Sequence, residues 1–256
     1  MFAMRTFVSS RRDAGRVKVN KIFPTIDEAL AGIKDGMSVM IGGFGGSGAP
    51  IELIHALVDR YEKTGTPGSL TVINNNAGNG KIGIAAMIYA GMVAKMVCSF
   101  PRSTDPRAFT ERYLADKIGL ELVPQGTLAE RIRAGGAGIP AFYTPTTYGT
   151  QLAEGKPIAE FDGRHYVQER WLKADVALIK AELADRRGNL TYRKAARNFS
   201  PLMATAAKLT IVQARKIVEP GEIDPELVVT PGIFVNRVVE VPDAQQEEAL
   251  LRAEAN

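Results

Sequence analysis

A chain of 256 residues with 45% hydrophobic content can bury a substantial core in one large domain or two small ones, and none of its apolar runs reaches the ~18 residues of a membrane-spanning helix. The formal net charge of +4 is too small, and the basic residues too dispersed, to indicate a nucleic-acid binder, although mild positive charge favours anionic small substrates. A single cysteine, Cys98, excludes an internal disulfide framework and fits a reducing cytoplasm, and two separated histidines cannot form a usual zinc site with it, so no metal is expected.

Residues 1–20 carry Arg5, Arg11, Arg12, Arg16 and Lys18 against one acid, Asp13, without an apolar stretch of signal-peptide length. An N-terminal extension is the expectation, in preference to an organellar transit peptide. Regular patterning begins near residue 21. Thr25 and Glu28 have capping-box spacing and open a short helix ending near Gly32, after which Lys34-Asp35-Gly36 turns the chain into a first strand.

That strand, Val39-Met40-Ile41, runs into Gly42-Gly43-Phe44-Gly45-Gly46-Ser47-Gly48-Ala49-Pro50 and then into the helical pattern of Ile51, Leu53, Ile54, Leu57 and Val58. Strand, glycine loop and helix make a ligand-site geometry. Glycines admit positive φ and close backbone approach, and a helix N-terminus offers unpaired N–H groups to negative charge. Gly43-x-Gly45-x-x-Gly48 formally fits a dinucleotide fingerprint, but the next strand, 70–73, ends in Asn74-Asn75-Asn76 where an acidic residue is wanted. No Gly-Lys-Ser/Thr follows, which removes the phosphate-binding P-loop. A Ser47 nucleophile elbow lacks its second flanking glycine and has only His55 or His165 as a base.

Further along, 82–91 is predicted as a helix and 94–100 as a strand, followed by a loop holding Arg102 and Arg107 and a helix through Tyr113. A strand over 120–124 leads to Gln125 and a helix with a glycine-rich C-cap at 135–138, on which Glu130, Arg131 and Arg133 are read as ion-pair residues. Residues 157–172 read as a β-hairpin with a surface His165. Strands follow at 174–180, 190–192, 208–212 and 233–239, with an apolar helical stripe at Leu202, Met203, Ala206 and Ala207. The folded domain is placed at 21–240, and 241–256 is a polar, helix-prone tail.

The run from Asp35 to Pro50 fits the signature of family I CoA-transferase A subunits at every specified position: Asp-Gly, two variable residues, three apolar residues, Gly-Gly-Phe, three variable residues, Gly, one variable residue, Pro. The resemblance extends over about residues 21–240. Asn75-Asn76-Ala77-Gly78-Asn79-Gly80 and Val97-Cys98-Ser99-Phe100-Pro101-Arg102 are similar to the 3-oxoadipate branch, whereas acetoacetate-type enzymes usually carry Ser-Tyr-Val-Gly-Glu-Asn at the second place.

By resemblance the fold is an α/β three-layer αβα sandwich with a mainly parallel sheet, and the chemistry is CoA exchange between succinyl-CoA and a 3-oxo acid through a glutamyl-CoA intermediate. The family's nucleophilic glutamate lies in a Ser-Glu-Asn-Gly motif of the B subunit, and this chain has no Glu-Asn-Gly. The resemblance therefore implies a cytoplasmic heteromer with a B subunit, no catalytic residue in this chain, no permanently bound cofactor, and coenzyme A as substrate. Gly42, Gly43, Phe44, Gly45, Gly46, Ser47 and Gly48 are expected to bind CoA or the developing oxyanion through backbone N–H groups. Asn75, Asn76, Arg102 and Gln125 are expected at the acyl substrate. The alternatives are an acetoacetate-type acceptor and, in a different class, a non-catalytic small-ligand-binding module.

Overall fold

The computed structural model describes residues 19–254, so the expected N-terminal extension lies outside the described residues except for its last two positions. Thr25 Oγ1 accepts the Glu28 N–H at 3.2 Å and starts helix α1 (Ile26–Ala29). There follow β1 (Ser38–Ile41), α2 (Ile51–Thr64), β2 (Leu70–Ile73), α3 (Ile84–Ala90), β3 (Val93–Cys98), α4 (Arg107–Leu114), β4 (Gly119–Leu122) and α5 (Gln125–Ala137). A small sheet comes next, made of β5 (Ala141–Thr144), β6 (Ile158–Phe161) and β7 (Arg164–Arg170). The chain ends with β8 (Ala174–Asp185), β9 (Leu190–Thr191), α6 (Ser200–Ala206), β10 (Ala207–Val218), β11 (Arg237–Glu240) and α7 (Gln245–Glu254).

The main sheet has the order β11-β10-β8-β1-β2-β3-β4, with every neighbour in that path parallel and β9 antiparallel to β8. Its central strands are buried on both faces, which is why they read as continuous apolar runs. Alternation then sorts their side chains. Val39 and Ile41 pack with Leu53, Leu57 and Met87 of α2 and α3, while Met40, Ile73 and Val97 pack with Leu128 and Ile132 of α5 and Met203 of α6. Two helical layers therefore sandwich one sheet, the αβα architecture expected from the sequence.

The chain builds outward from β1 to β4, returns to β8 on the other side of β1, and continues to β11. Connections diverge at such a reversal and leave a crevice at the strands' carboxyl ends. The glycine loop leaves β1 at that point.

Some elements differ from the expectation in extent or in packing. The hairpin 157–172 gains β5 as a third strand, paired antiparallel to β7; Pro140 and Pro145 flank its four residues and disguised it. The last strand is confined to Arg237–Glu240, because Gly232–Phe234 forms a 3-10 turn instead. Lys21 Nζ donates to Gly232 O and Val235 O, each at 2.6 Å, and Asn189 Oδ1 takes the Gly232 N–H, so this segment has other hydrogen-bond partners than a ladder. The polar tail is a docked helix: Glu52 Oε1 accepts the Gln246 N–H at 2.7 Å and Lys180 pairs with Glu247.

Gln213, on β10 and 1% exposed, is the one amide side chain in the apolar run from Ile211 to Ala214. Its Oε1 accepts the N–H groups of Glu52 (3.2 Å) and Leu53 (3.4 Å), in the first turn of α2. Replacing it with an apolar residue leaves these donors without an acceptor. Gln213→Leu is expected to lower the unfolding free energy by about 2 kcal/mol, read from denaturant melts.

Candidate active site

A cavity of about 660 Å³ opens at the carboxyl ends of β1, β2 and β3, beside the first turn of α5. One wall is the glycine turn after β1. Phe44 and Ser47 exchange two backbone hydrogen bonds of 3.0 Å around Gly45 (φ 55°) and Gly46 (φ 83°), a pair of left-handed residues that gives a type I′ turn. Gly42, Gly43, Phe44, Gly45 and Gly46 line the cavity, whereas Ser47 and Gly48 are not part of the lining. Gly48 lies against the chain at 195–198, where a Cβ would collide with Ala196 O. The close approach that demands glycine at this position is made by the protein itself.

Backbone donors in this turn are fewer than the sequence suggested. The N–H of Gly42 goes to Leu178 O, that of Gly43 to Asn198 Oδ1, and those of Phe44 and Ser47 to each other's carbonyls. Gly45 and Gly46 keep N–H groups without a partner among the described residues, at the cavity wall. The N-terminus of α2 is likewise closed. Pro50 (φ −82°, ψ 66°) forms an inverse γ-turn in which Ile51 N donates to Ala49 O at 3.0 Å, and Gln213 takes the next two N–H groups. The expected presentation of unpaired α2 donors to a ligand does not occur, because an interior amide caps them.

The second wall comes from the asparagines after β2. Asn74, 2% exposed, donates to Ile41 O at 2.6 Å and accepts from Asn76 N, tying the two carboxyl-end loops together. Asn75 O accepts from Ser99 N, Phe100 N and Ser99 Oγ, and Asn75 Oδ1 accepts from Asn76 Nδ2, which leaves Asn75 Nδ2 without an acceptor among the described residues. The hydroxyl of Ser99 carries one proton and faces two acceptors, Asn75 O at 2.8 Å and Gln125 Oε1. Asn75, Asn76 and Gln125 thus meet in the cavity, joined through Ser99.

Arg102 is not part of the lining. It sits on the loop after β3, between the lining residues Phe100 and Ser103, and pairs with nothing among the described residues. Arg107, the other arginine of this loop, is held by Asp105 through two bonds of 2.7 Å, which bring the Asp105 carboxyl down to about 2.

Among the described residues, none that lines the cavity carries an ionisable side chain; the lining consists of aliphatic groups, Phe44 and Phe100, carboxamides and three hydroxyls. Cys98 is at the end of β3 but buried in the core on the α2 side, where desolvation pushes its thiol up to about 11 and keeps it protonated and inert. His55 lies behind the cavity, with Nε2 accepting the N–H of Gly83 at 3.0 Å. Burial lowers its pKa against the opposing pull of Glu52 and Asp59. His165 is on the exposed face of β7 beside Glu160 and Tyr148. A Ser47 triad has no geometric support.

The fold is an αβα sandwich with a carboxyl-end cavity built on this glycine turn, and residues 23–241 match the coenzyme A transferase family model: the chain belongs to that family. It is 59% identical over 226 residues to the A subunit of 3-oxoadipate CoA-transferase from Pseudomonas putida, covering 88% of this chain and 96% of that one. To the A subunit of succinyl-CoA:3-ketoacid coenzyme A transferase from Xanthomonas campestris pv. campestris (strain B100) it is 49% identical over 227 residues, covering 88% and 91%. The fold is shared with an acyl-CoA transferase from E. coli O157:H7 at TM-score 0.76 and 24% identity; the match covers 89% of this chain and 48% of that one, so this chain spans about half of its length.

Sequence reading missed Gln213, Asn198 and Ser99, which shape the cavity from outside the glycine run. An amide inside an apolar strand was the available signal for Gln213.

The His55 arrangement gives a pH signature. Its folded pKa is below the unfolded 6.5, so the unfolded chain binds more protons in the interval between the two, and stability falls as pH drops from 6.5 into that interval. His55→Gln, which keeps an acceptor for Gly83, is expected to flatten the difference in stability between pH 7 and pH 5, measured by denaturant melts at each pH.

Proposed function

We propose that this chain is the A subunit of a two-chain transferase that moves CoA from succinyl-CoA to 3-oxoadipate. The observation that carries the two-chain reading is the cavity without an ionisable side chain. Exchange between a thioester and a carboxylate by covalent catalysis needs a nucleophilic carboxylate, and this wall supplies only hydrogen bonds and apolar surface. The nucleophile then comes from a B subunit bearing the glutamate motif absent here. That the relatives are named as A subunits supports this. Residues 23–241 form the transferase domain, and the compartment is the cytoplasm. Among the described residues no helix is long and apolar enough to cross a membrane.

In this reading the partner's glutamate oxygen attacks the succinyl thioester carbonyl, the CoA thiolate leaves, and a mixed anhydride forms. The thiolate then attacks the glutamyl carbonyl and releases succinate, giving glutamyl-CoA, and the acceptor's carboxylate reverses the sequence. Each attack places negative charge on a carbonyl oxygen. Asn75 Nδ2, free of any acceptor among the described residues, and the N–H groups of Gly45 and Gly46 suit that charge, in a cavity whose low polarity strengthens their bonds. Asn76 holds Gly78 N at 2.8 Å and supports the Asn75 amide, a positioning role. Gln125 faces Ser99 and borders the acyl group.

Purified alone, the chain is expected to show no exchange between succinyl-CoA and 3-oxo acids, and co-expression with a Ser-Glu-Asn-Gly partner is expected to give activity. Turnover by the rigorously purified single chain would overturn the two-chain reading.

Relatives named for 3-keto acids keep a monocarboxylate acceptor as the second reading. Arg102 decides between them. It is an unpaired cation at the rim between Phe100 and Ser103, and a dicarboxylate acceptor has a remote carboxylate that a guanidinium binds through two parallel hydrogen bonds. Arg102→Ala is expected to cost about 2 kcal/mol in kcat/KM for 3-oxoadipate and much less for acetoacetate. Equal losses for both acceptors would make Arg102 structural; no loss would place it outside the site.

A further inference from the structure

Ser99 lies where three carboxyl-end elements meet. It follows the last residue of β3, faces Asn75 just beyond the end of β2, and touches Gln125, the first residue of α5; all three line the cavity. Its backbone is fixed. Ser99 N donates to Asn75 O at 3.1 Å, Phe100 N does so at 3.0 Å, and a bridge between Asn76 and Phe100 carries the β2–β3 pairing past the strand ends. The partly buried hydroxyl therefore stands at a set point of the cavity wall, with one proton to give.

Where that proton goes decides what Gln125 shows to a ligand. Asn75 O, at 2.8 Å from the hydroxyl, already accepts two backbone N–H groups, which occupy both of its lone pairs. Gln125 Oε1 has no donor among the described residues other than Ser99. A hydroxyl set between a satisfied acceptor and an unsatisfied one gains more from donating to the second. That bond holds the Gln125 carboxamide in one orientation and leaves Nε2, which has no acceptor among the described residues, to a ligand in the cavity. Turned by half a rotation, the same amide would donate to Ser99 and offer its carbonyl oxygen instead. The reacting groups of an exchange between a thioester and a carboxylate are carbonyl oxygens, carboxylates and a thiolate, all of them acceptors. Only the first orientation stabilises them.

We propose that Ser99 is a positioning residue for the transfer reaction: by donating its proton to Gln125 Oε1 it keeps the Gln125 amide turned as a donor toward the acyl group. This deepens the transferase reading above and rests on it, and the experiment tells the failure of one from the failure of the other.

In the assembled two-chain enzyme, exchange is measured for Ser99→Ala, for Gln125→Met and for the two combined. Ser99→Ala is expected to lower kcat about tenfold, the scale of one lost hydrogen bond, with KM nearly unchanged. The double variant is expected to be no slower than Gln125→Met, because Ser99 acts only through Gln125. Ser99→Thr, which returns the hydroxyl, should recover most of the loss. Gln125→Glu can take the Ser99 proton but has no N–H to offer, and is expected to be at least as slow as Gln125→Met. Losses that multiply in the double variant overturn the proposal, as does a Ser99→Thr enzyme as slow as Ser99→Ala, since Ser99 then acts by another route. Near-wild-type exchange by Gln125→Glu overturns it too, because the cavity would then use an acceptor at this position. If Ser99→Ala does not assemble with its partner, Ser99→Cys, which keeps only a weak donor, is read in the same way. If the wild type shows no exchange, the functional reading has failed, and NMR of the full chain with isotope-labelled glutamine tests the bond by itself. The Gln125 side-chain amide, identified by its absence in Gln125→Met, should gain mobility in Ser99→Ala and lose it again in Ser99→Thr; unchanged mobility overturns the proposal.

Discussion

A turn built mostly from glycines has few side chains with which to anchor itself, and residues 43–48 are held by an amide from another part of the chain. Asn198 accepts the N–H groups of Gly43 and Phe199 and donates to the carbonyls of Ser47 and Ala195. These bonds connect the loop after β1 to the segment after β9, across the reversal point of the sheet, and so fix the wall of the cavity on the β8 side. On the other side Asn74 does the equivalent through Ile41 O. The cavity is thus a set of loops locked by carboxamides. An amide suits this task because it both donates and accepts without introducing charge.

Closing the α2 N-terminus from inside has the same logic. Two N–H groups there would exert a positive partial charge on the loop; Gln213 satisfies them with a neutral acceptor reached from β10. Open to a ligand are the pair of N–H groups at the tip of the turn, the amide N–H groups of Asn75, Asn79 and Gln125, and the Thr104 hydroxyl, none of which has a partner among the described residues. Binding determinants are therefore neutral and directional, and net charge is left to the surroundings of the cavity, where Arg102 lies between the lining residues Phe100 and Ser103.

The sheet and its two helical layers were legible because strand and helix periods are written into Val39 to Ile41, 70–73, 174–180 and the α2 stripe without interruption. Boundaries were less so: β8 and β10 extend to Asp185 and Val218, beyond their apolar cores, because pairing in register from Ala207↔Ala174 to Val218↔Asp185 carries polar residues along. β5 escaped notice between two prolines. At the site, the glycine turn and Asn75, Asn76 and Gln125 were found from local pattern and resemblance. Asn198, 155 residues from Gly43, and Gln213, 161 residues from Glu52, were not, since no local pattern records a partner so far away in the chain.

The uncharged lining also acts on the species inside it. A bare carboxylate entering such a space gives up hydration that carboxamides and two backbone donors only partly replace, while a thioester or an anhydride, having no charge, gives up little. The cavity therefore tilts the balance among bound states toward acyl groups in covalent linkage and against free acids, and a carboxylate held there is a stronger base and a readier nucleophile than the same group in water.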